Sequence, residues 1–126
     1  MWGNVLVVAA GGAIGAAFRY AVMLAFGRGT FPWTTLLVNV SGSLLFGFLA
    51  IWLSARWPLA AELRAFLLVG VLGAFTTFST FSWETLGLLQ EGEITRAAVN
   101  MLASVALCVL AAAAGMWLGR QFIAFQ

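Results

Sequence analysis

Five hydroxyl side chains fall within seven positions, at Thr76, Thr77, Ser79, Thr80 and Ser82, interleaved with Phe78 and Phe81 in an otherwise apolar run. β-Branched Thr is stiff and Ser competes for backbone hydrogen bonds, so a regular helix is weakly supported here. Gly70 and Gly73 precede the cluster and favour a break. Broken membrane helices persist where their backbone is buried in protein or lines a cavity, and freed carbonyls can then coordinate a cation. An ordinary helix with back-bonded Ser and Thr is the plainer alternative. Phe78 and Phe81 are three apart, on roughly one helix face. Aromatic rings have negative faces and positive edges, so such edges can meet an anion; simple packing would use the same two rings.

Other polar residues keep helical register. Thr35, Asn39 and Ser43 are spaced by four, and so are Asn100, Ser104 and Cys108. Each set shares a face. An unpartnered Asn in hydrocarbon costs roughly 2–7 kcal/mol. One reading is a polar track for a small hydrophilic solute; the other is hydrogen-bonded glue between helices. Arg19 lies about 10 Å before the end of its apolar run, measured along a helix. It can snorkel to an interface, or sit in an aqueous vestibule and attract anions. Glu84 follows the hydroxyl cluster and suits a proton site, a pore mouth or an interface.

The elements that must position these residues are membrane spans. The chain has 126 residues, 63% of them apolar and 8% charged, against about 25% charged in ordinary soluble domains. Four apolar segments reach the roughly 20 residues that a bilayer core requires. They run from about Gly3 to Phe26, Trp33 to Ser54, Leu63 to Leu89 and Arg96 to Phe122. The turns are Gly27-Arg28-Gly29-Thr30-Phe31-Pro32, Arg56-Trp57-Pro58, and Gln90-Glu91-Gly92-Glu93. Such short loops imply antiparallel neighbours within one all-α membrane domain over 1–126. The first span has no basic leader and contains Arg19, so it reads as retained and not as a cleaved signal peptide.

The titratable inventory excludes much. There is no His, Lys or Asp; six Arg and four Glu carry every charge. Cys108 is the single cysteine, so neither an intrachain disulfide nor a Cys/His metal site can form. No basic cluster could track a nucleic acid, and nothing supports soluble-enzyme chemistry. With the N-terminus inside, Arg56, Arg64 and Arg120 fall inside, and Arg19, Arg28 and Arg96 outside. The positive-inside cue is therefore absent, which suits insertion both ways and an antiparallel pairing of the chain with itself. A small chain with few charges gives the same count. Gly11-xxx-Gly15 and Gly115-xxx-Gly119 permit close helix approach.

Three motifs carry a family resemblance. They are Gly11-Gly12-xx-Gly15-Ala16-xx-Arg19-Tyr20, Thr35-xxx-Asn39-xx-Gly42-xxxx-Gly47, and Gly73-xx-Thr76-Thr77-Phe78-Ser79-Thr80-Phe81-Ser82-x-Glu84. In that order they resemble the small dual-topology fluoride channels of the Fluc or CrcB family, over nearly the whole chain. The resemblance implies a homodimer of antiparallel subunits with two fluoride pores in a prokaryotic inner or plasma membrane, exporting fluoride passively. It implies that Asn39 hydrogen-bonds the ion and that Phe78 and Phe81 present ring edges to it. Thr35 and Arg19 map to the vestibule, Glu84 beside the path and Ser104 to a polar track. The carbonyls of Gly73 and Thr76 would hold a structural sodium ion at the dimer axis. The chain departs from the pattern at Cys108, often Ser in the family, and at Asn100, where an aromatic can occur. A thiol is the weaker donor.

Two rivals differ in their requirements. A proton-coupled small multidrug exporter needs a carboxylate in its first span, where this chain has only Arg19. A non-transporting membrane subunit would leave both polar stripes and the hydroxyl cluster without a shared explanation.

Overall fold

The computed structural model describes residues 2–27, 29–55 and 60–125. They form helices α1 (Trp2–Phe26), α2 (Trp33–Ser54), α3 (Ala60–Arg64), α4 (Gly73–Phe75), α5 (Phe78–Gln90) and α6 (Ile94–Ala124), with a π-helical stretch over Ala65–Leu72 joining α3 to α4. Four helical runs are long and apolar enough to cross a membrane: Gly3–Phe26, Trp33–Ser54, Ala61–Gln90 and Ile94–Ala124. No strand occurs among the described residues. The chain is thus an all-helical, multi-pass membrane protein. The expected stop at Arg56-Trp57-Pro58 lies outside the described residues.

Local chemistry sets the helix ends. Pro32 precedes α2, where its missing N–H costs no helix bond. Between α5 and α6, Gly92 takes the left-handed conformation at φ 79°. Gly92 N–H bonds the Leu89 carbonyl at 3.1 Å, and Glu93 N–H bonds the Leu88 carbonyl at 2.8 Å. This is a Schellman turn, satisfying carbonyls that a helix end leaves open.

Small residues set the packing. α2 lies chiefly along α6, while α1 lies along the π-helical stretch and α4. A Cβ added at Gly47 would strike the Ala112 carbonyl, and one at Gly115 the Leu44 carbonyl. On the other seam, a Cβ at Gly15 would strike the Val71 carbonyl. Both small-xxx-small patterns thus sit where backbones touch, which is how membrane helices gain contact without a hydrophobic driving force. Buried Leu53 of α2 joins Leu68 and Leu72 of the π-helical stretch in one apolar cluster. Only 11% of the most apolar window in the first and fourth spans is buried. Most of the surface is therefore left for lipid or a second chain.

Candidate functional site

The third span is interrupted at the hydroxyl cluster. Thr76 (φ −73°, ψ 157°) and Thr77 (φ −150°, ψ 115°) are extended between α4 and α5. The last bond of the incoming helix is Thr76 N–H to the Leu72 carbonyl, 3.0 Å. Side chains from two other helices then satisfy the exposed backbone. Thr77 N–H donates to Asn39 Oδ1 at 2.8 Å, and Asn39 Nδ2 donates to the Thr77 carbonyl at 3.0 Å. Arg19 Nη1 donates to the Thr76 carbonyl at 3.1 Å. Unpaired backbone at membrane depth would cost several kcal/mol per group, so these bonds are what make the interruption tolerable. Thr77 Oγ1 also accepts from Thr80 N–H at 3.1 Å and so caps α5. Gly42 lets α2 approach: a Cβ there would strike the Thr76 methyl group.

The diversion of Thr77 N–H has a further effect. In a continuous helix it would bond the Gly73 carbonyl, four residues back. Bonded to Asn39 instead, it leaves that carbonyl without its helical donor. Gly73 is exposed.

The remaining polar residues gather along α5. Phe78 is 77% exposed and Phe81 is half-buried; their ring centroids lie 5.4 Å apart with planes tilted by 45°. Thr35, buried on α2, donates to Glu84 Oε1 at 2.9 Å. Glu84 Oε2 is buried and has no hydrogen-bond partner among the described residues. A cavity of about 300 Å³ opens beside the interruption, lined by Asn39, Ser43, Phe46, Thr76, Thr77 and Phe78. A larger one of about 740 Å³ includes Thr35, Thr80 and Glu84 together with Glu91, Glu93 and Arg96 of the α5–α6 turn region.

The structure brings Arg19, Asn39 and Thr76 together, and separately Thr35 with Glu84. Arg19 is neither at a loop nor loose: it reaches the interruption from 57 residues away. Asn100 and Ser104 are buried. Asn100 Nδ2 donates to Thr85 Oγ1 at 2.8 Å, and Ser104 Oγ donates to Asn100 Oδ1 at 3.5 Å. Cys108 is half-buried and free. Sequence reasoning missed Thr85, although its place one turn after Phe81 was a signal available in the helical register. No group of three or more metal-binding His, Cys, Asp or Glu side chains occurs among the described residues.

These features define a small helical membrane protein whose polar atoms converge on an interrupted span and not on an acid–base or side-chain metal centre. The chain belongs to the CrcB family: residues 6–116 match the family described as CrcB-like protein, Camphor Resistance (CrcB). It is 48% identical over 122 residues to the fluoride-specific ion channel FluC of Nitrobacter winogradskyi, covering 94% of this chain and 97% of that one. It is 53% identical over 117 residues to the fluoride-specific ion channel FluC of Magnetococcus marinus, covering 90% and 94%. With the same-named protein of Shewanella amazonensis it shares 48% identity over 124 residues, 95% of each chain.

Proposed function

We propose that this chain is a fluoride-selective ion channel that releases cytoplasmic fluoride down its electrochemical gradient across a prokaryotic inner membrane. It is a conductor and not an enzyme. HF crosses membranes, dissociates in a near-neutral cytoplasm and leaves fluoride trapped; a passive channel relieves this. The near full-length likeness to proteins named fluoride-specific channels supports the ion. The observation that carries the mechanism is the Asn39–Thr77 pairing. An amide NH2 has two hydrogens. One is held by the Thr77 carbonyl, and Oδ1 is held by Thr77 N–H, so the amide cannot turn over. Its second N–H is left for the ion, in the cavity that also holds the Phe78 ring.

The functional unit of this reading is an antiparallel, dual-topology homodimer with two pores. The even Arg distribution, the exposed Phe78 ring and the thinly buried outer helices support it. Phe78 and Phe81 offer ring edges, while Arg19 and Thr35 attract and admit the anion. Glu84 stands beside the path, and Ser104 contributes to its polar wall.

A central sodium ion fits the donors present. Carboxylate and imidazole clusters are missing among the described residues, so carbonyls would have to serve, and they suit a hard cation. The Gly73 carbonyl has lost its helical donor. The Thr76 carbonyl accepts from Arg19 and keeps a second lone pair. Gly73 and Thr76 of each subunit would hold the ion, which when bound would fix the interruption from the dimer axis. The first span contains no carboxylate, which leaves the proton-coupled exporter without its central group.

The test is efflux from liposomes containing only the purified protein. Fluoride should leave rapidly. Failure to release fluoride, with the protein shown to be inserted, would overturn the reading.

A further inference from the structure

α5 is detached from the helix before it. Backbone hydrogen bonding stops at Thr76, so the ladder of the incoming helix does not fix the rotation of the 13 residues Phe78–Gln90 about their own axis, and the main-chain bonds of the Gly92 turn tie only their far end. α5 also packs far less extensively on its neighbours than α2 does on α6. Towards the interruption its orientation comes from individual side-chain bonds. Asn39 holds Thr77 at its start, and Thr35 holds Glu84 near its middle. The third bond belongs to neither α2 nor the interruption. It is made by Asn100 of α6, which is 1% exposed.

The bonds around Asn100 form a directed chain. Ser104 Oγ lies 3.5 Å from Asn100 Oδ1, the outer limit of a hydrogen bond, and supports the amide weakly. Asn100 Nδ2 donates to Thr85 Oγ1 (2.8 Å), and Thr85 Oγ1 donates its own proton to the Phe81 carbonyl (2.7 Å). Thr85 is itself buried, so no solvent competes. Phe78, Phe81 and Thr85 follow a three–four spacing and share one stripe of α5. The anchored face is therefore the face that carries both rings. A ring stands roughly 6 Å from a helix axis, so a 20° rotation moves it by roughly 2 Å. Contacts to a small ion do not survive a displacement of that size.

We infer that Asn100 is a positioning residue of the ion path: through the Thr85 hydroxyl it fixes the rotation of α5 and thereby the place of the Phe78 and Phe81 rings. The inference rests on the fluoride-channel reading. Asn100 touches no ion. Its polar side chain belongs to the register of α5, in place of a share in a continuous solute track on α6.

The experiment measures fluoride and chloride efflux from liposomes for Thr85→Val, Thr85→Ser and Asn100→Ser. Thr85→Val keeps the volume and removes the hydroxyl; Thr85→Ser keeps it. Fluoride efflux should fall at least tenfold in Thr85→Val and stay within about twofold in Thr85→Ser. The fluoride-to-chloride ratio should narrow in Thr85→Val because chloride efflux rises above that of protein-free liposomes, a change that mere loss of folded protein does not produce. Should Thr85→Val fail to fold, Asn100→Ser remains informative. Its shorter hydroxyl cannot reach Thr85 but can bond its own helix. It should show the same loss and the same narrowed ratio. An unaltered ratio and rate in a folded Asn100→Ser or Thr85→Val protein overturns the inference alone. Absence of fluoride efflux from the unmutated protein overturns the channel reading, and this inference with it.

Discussion

Asn39 pairs with Thr77 as one peptide group pairs with another. Its Oδ1 accepts from Thr77 N–H at 2.8 Å and its Nδ2 donates to the Thr77 carbonyl at 3.0 Å. One side chain on α2 thus accepts the Thr77 N–H that has lost its helical partner, adds a donor to the Thr77 carbonyl and at the same time fixes its own remaining N–H. In the proposed channel, structural support and ion contact would come from a single amide.

Asn39→Asp separates the two roles poorly for the protein and well for the experimenter. The carboxylate can still accept from Thr77 N–H, but it sets an oxygen against the Thr77 carbonyl and removes the donor left for an anion. A buried acceptor left unpaired costs about 1–3 kcal/mol. Fluoride efflux should be abolished, with a drop in thermal stability of the purified protein. Efflux within a few-fold of the unmutated protein would remove Asn39 from the path.

Phe78→Ile and Phe81→Ile address the ring edges. Each swap keeps an apolar side chain and removes the quadrupole. Phe78 is largely exposed, so its replacement should leave the protomer's fold intact. Both variants should lose most fluoride flux while eluting as the unmutated protein does in detergent. Unchanged flux in both would assign the rings to packing.

The fold was largely legible because a bilayer imposes its length on apolar runs. The first and second spans keep their expected limits, Gly3 to Phe26 and Trp33 to Ser54, and the third and fourth extend by only one or two residues at each end. The polar turn at Gly92 was equally visible, since glycine next to charge between apolar runs is a strong local signal. The π-helical stretch over Ala65–Leu72 was not legible. Its residues are uniformly apolar, and wide turns carry no composition of their own. The partners of the polar residues were hidden for another reason. Arg19 meets Thr76 across 57 positions and Asn39 meets Thr77 across 38, and register on one helix says nothing of which helix it faces. Asn100 and Ser104 shared a face as the spacing implied, but that face turned inward towards Thr85.

Gly47→Leu should be among the most destructive single changes outside the path. A Cβ at Gly47 would strike the Ala112 carbonyl, and that atom belongs to a helix backbone with no freedom to rotate away. Overpacking costs about 1–3 kcal/mol in soluble cores, and a seam built on backbone contact has less room to adjust. The variant should aggregate on extraction or lose at least about 10 °C of thermal stability. Gly87→Ala is the control, because nothing lies within 4 Å of the Cβ it would add. Equal stability for Gly47→Leu and Gly87→Ala would contradict the packing described here.

Dual topology is testable at one exposed position. Thr30, in the α1–α2 turn, is exposed and can be replaced by cysteine in a Cys108→Ala background. Half the labelling should come from each side of the membrane with an impermeant thiol reagent. Labelling from a single side would exclude the antiparallel homodimer.

Selectivity and sodium dependence are linked through the same two extended residues. Fluoride is small and strongly hydrated, so a pore must replace its water at short range. The free N–H of Asn39 and the edges of Phe78 and Phe81 can do so only while Thr76 and Thr77 hold their extended geometry. Three hydrogen bonds between these two residues and the side chains of Arg19 and Asn39 hold that geometry within one protomer. A sodium ion on the Gly73 and Thr76 carbonyls of both subunits would hold it across the dimer. Fluoride efflux should therefore be fast and chloride efflux negligible in sodium buffer. Exhaustive replacement of sodium by a large organic cation should stop fluoride efflux and lower the midpoint of thermal unfolding in detergent. The second readout matters, because it reports the ion without any transport. Comparable rates for chloride and fluoride would refute the selectivity. An unchanged unfolding midpoint and full efflux without sodium would refute the structural ion and leave the Asn39–Thr77 pairing to hold the break by itself.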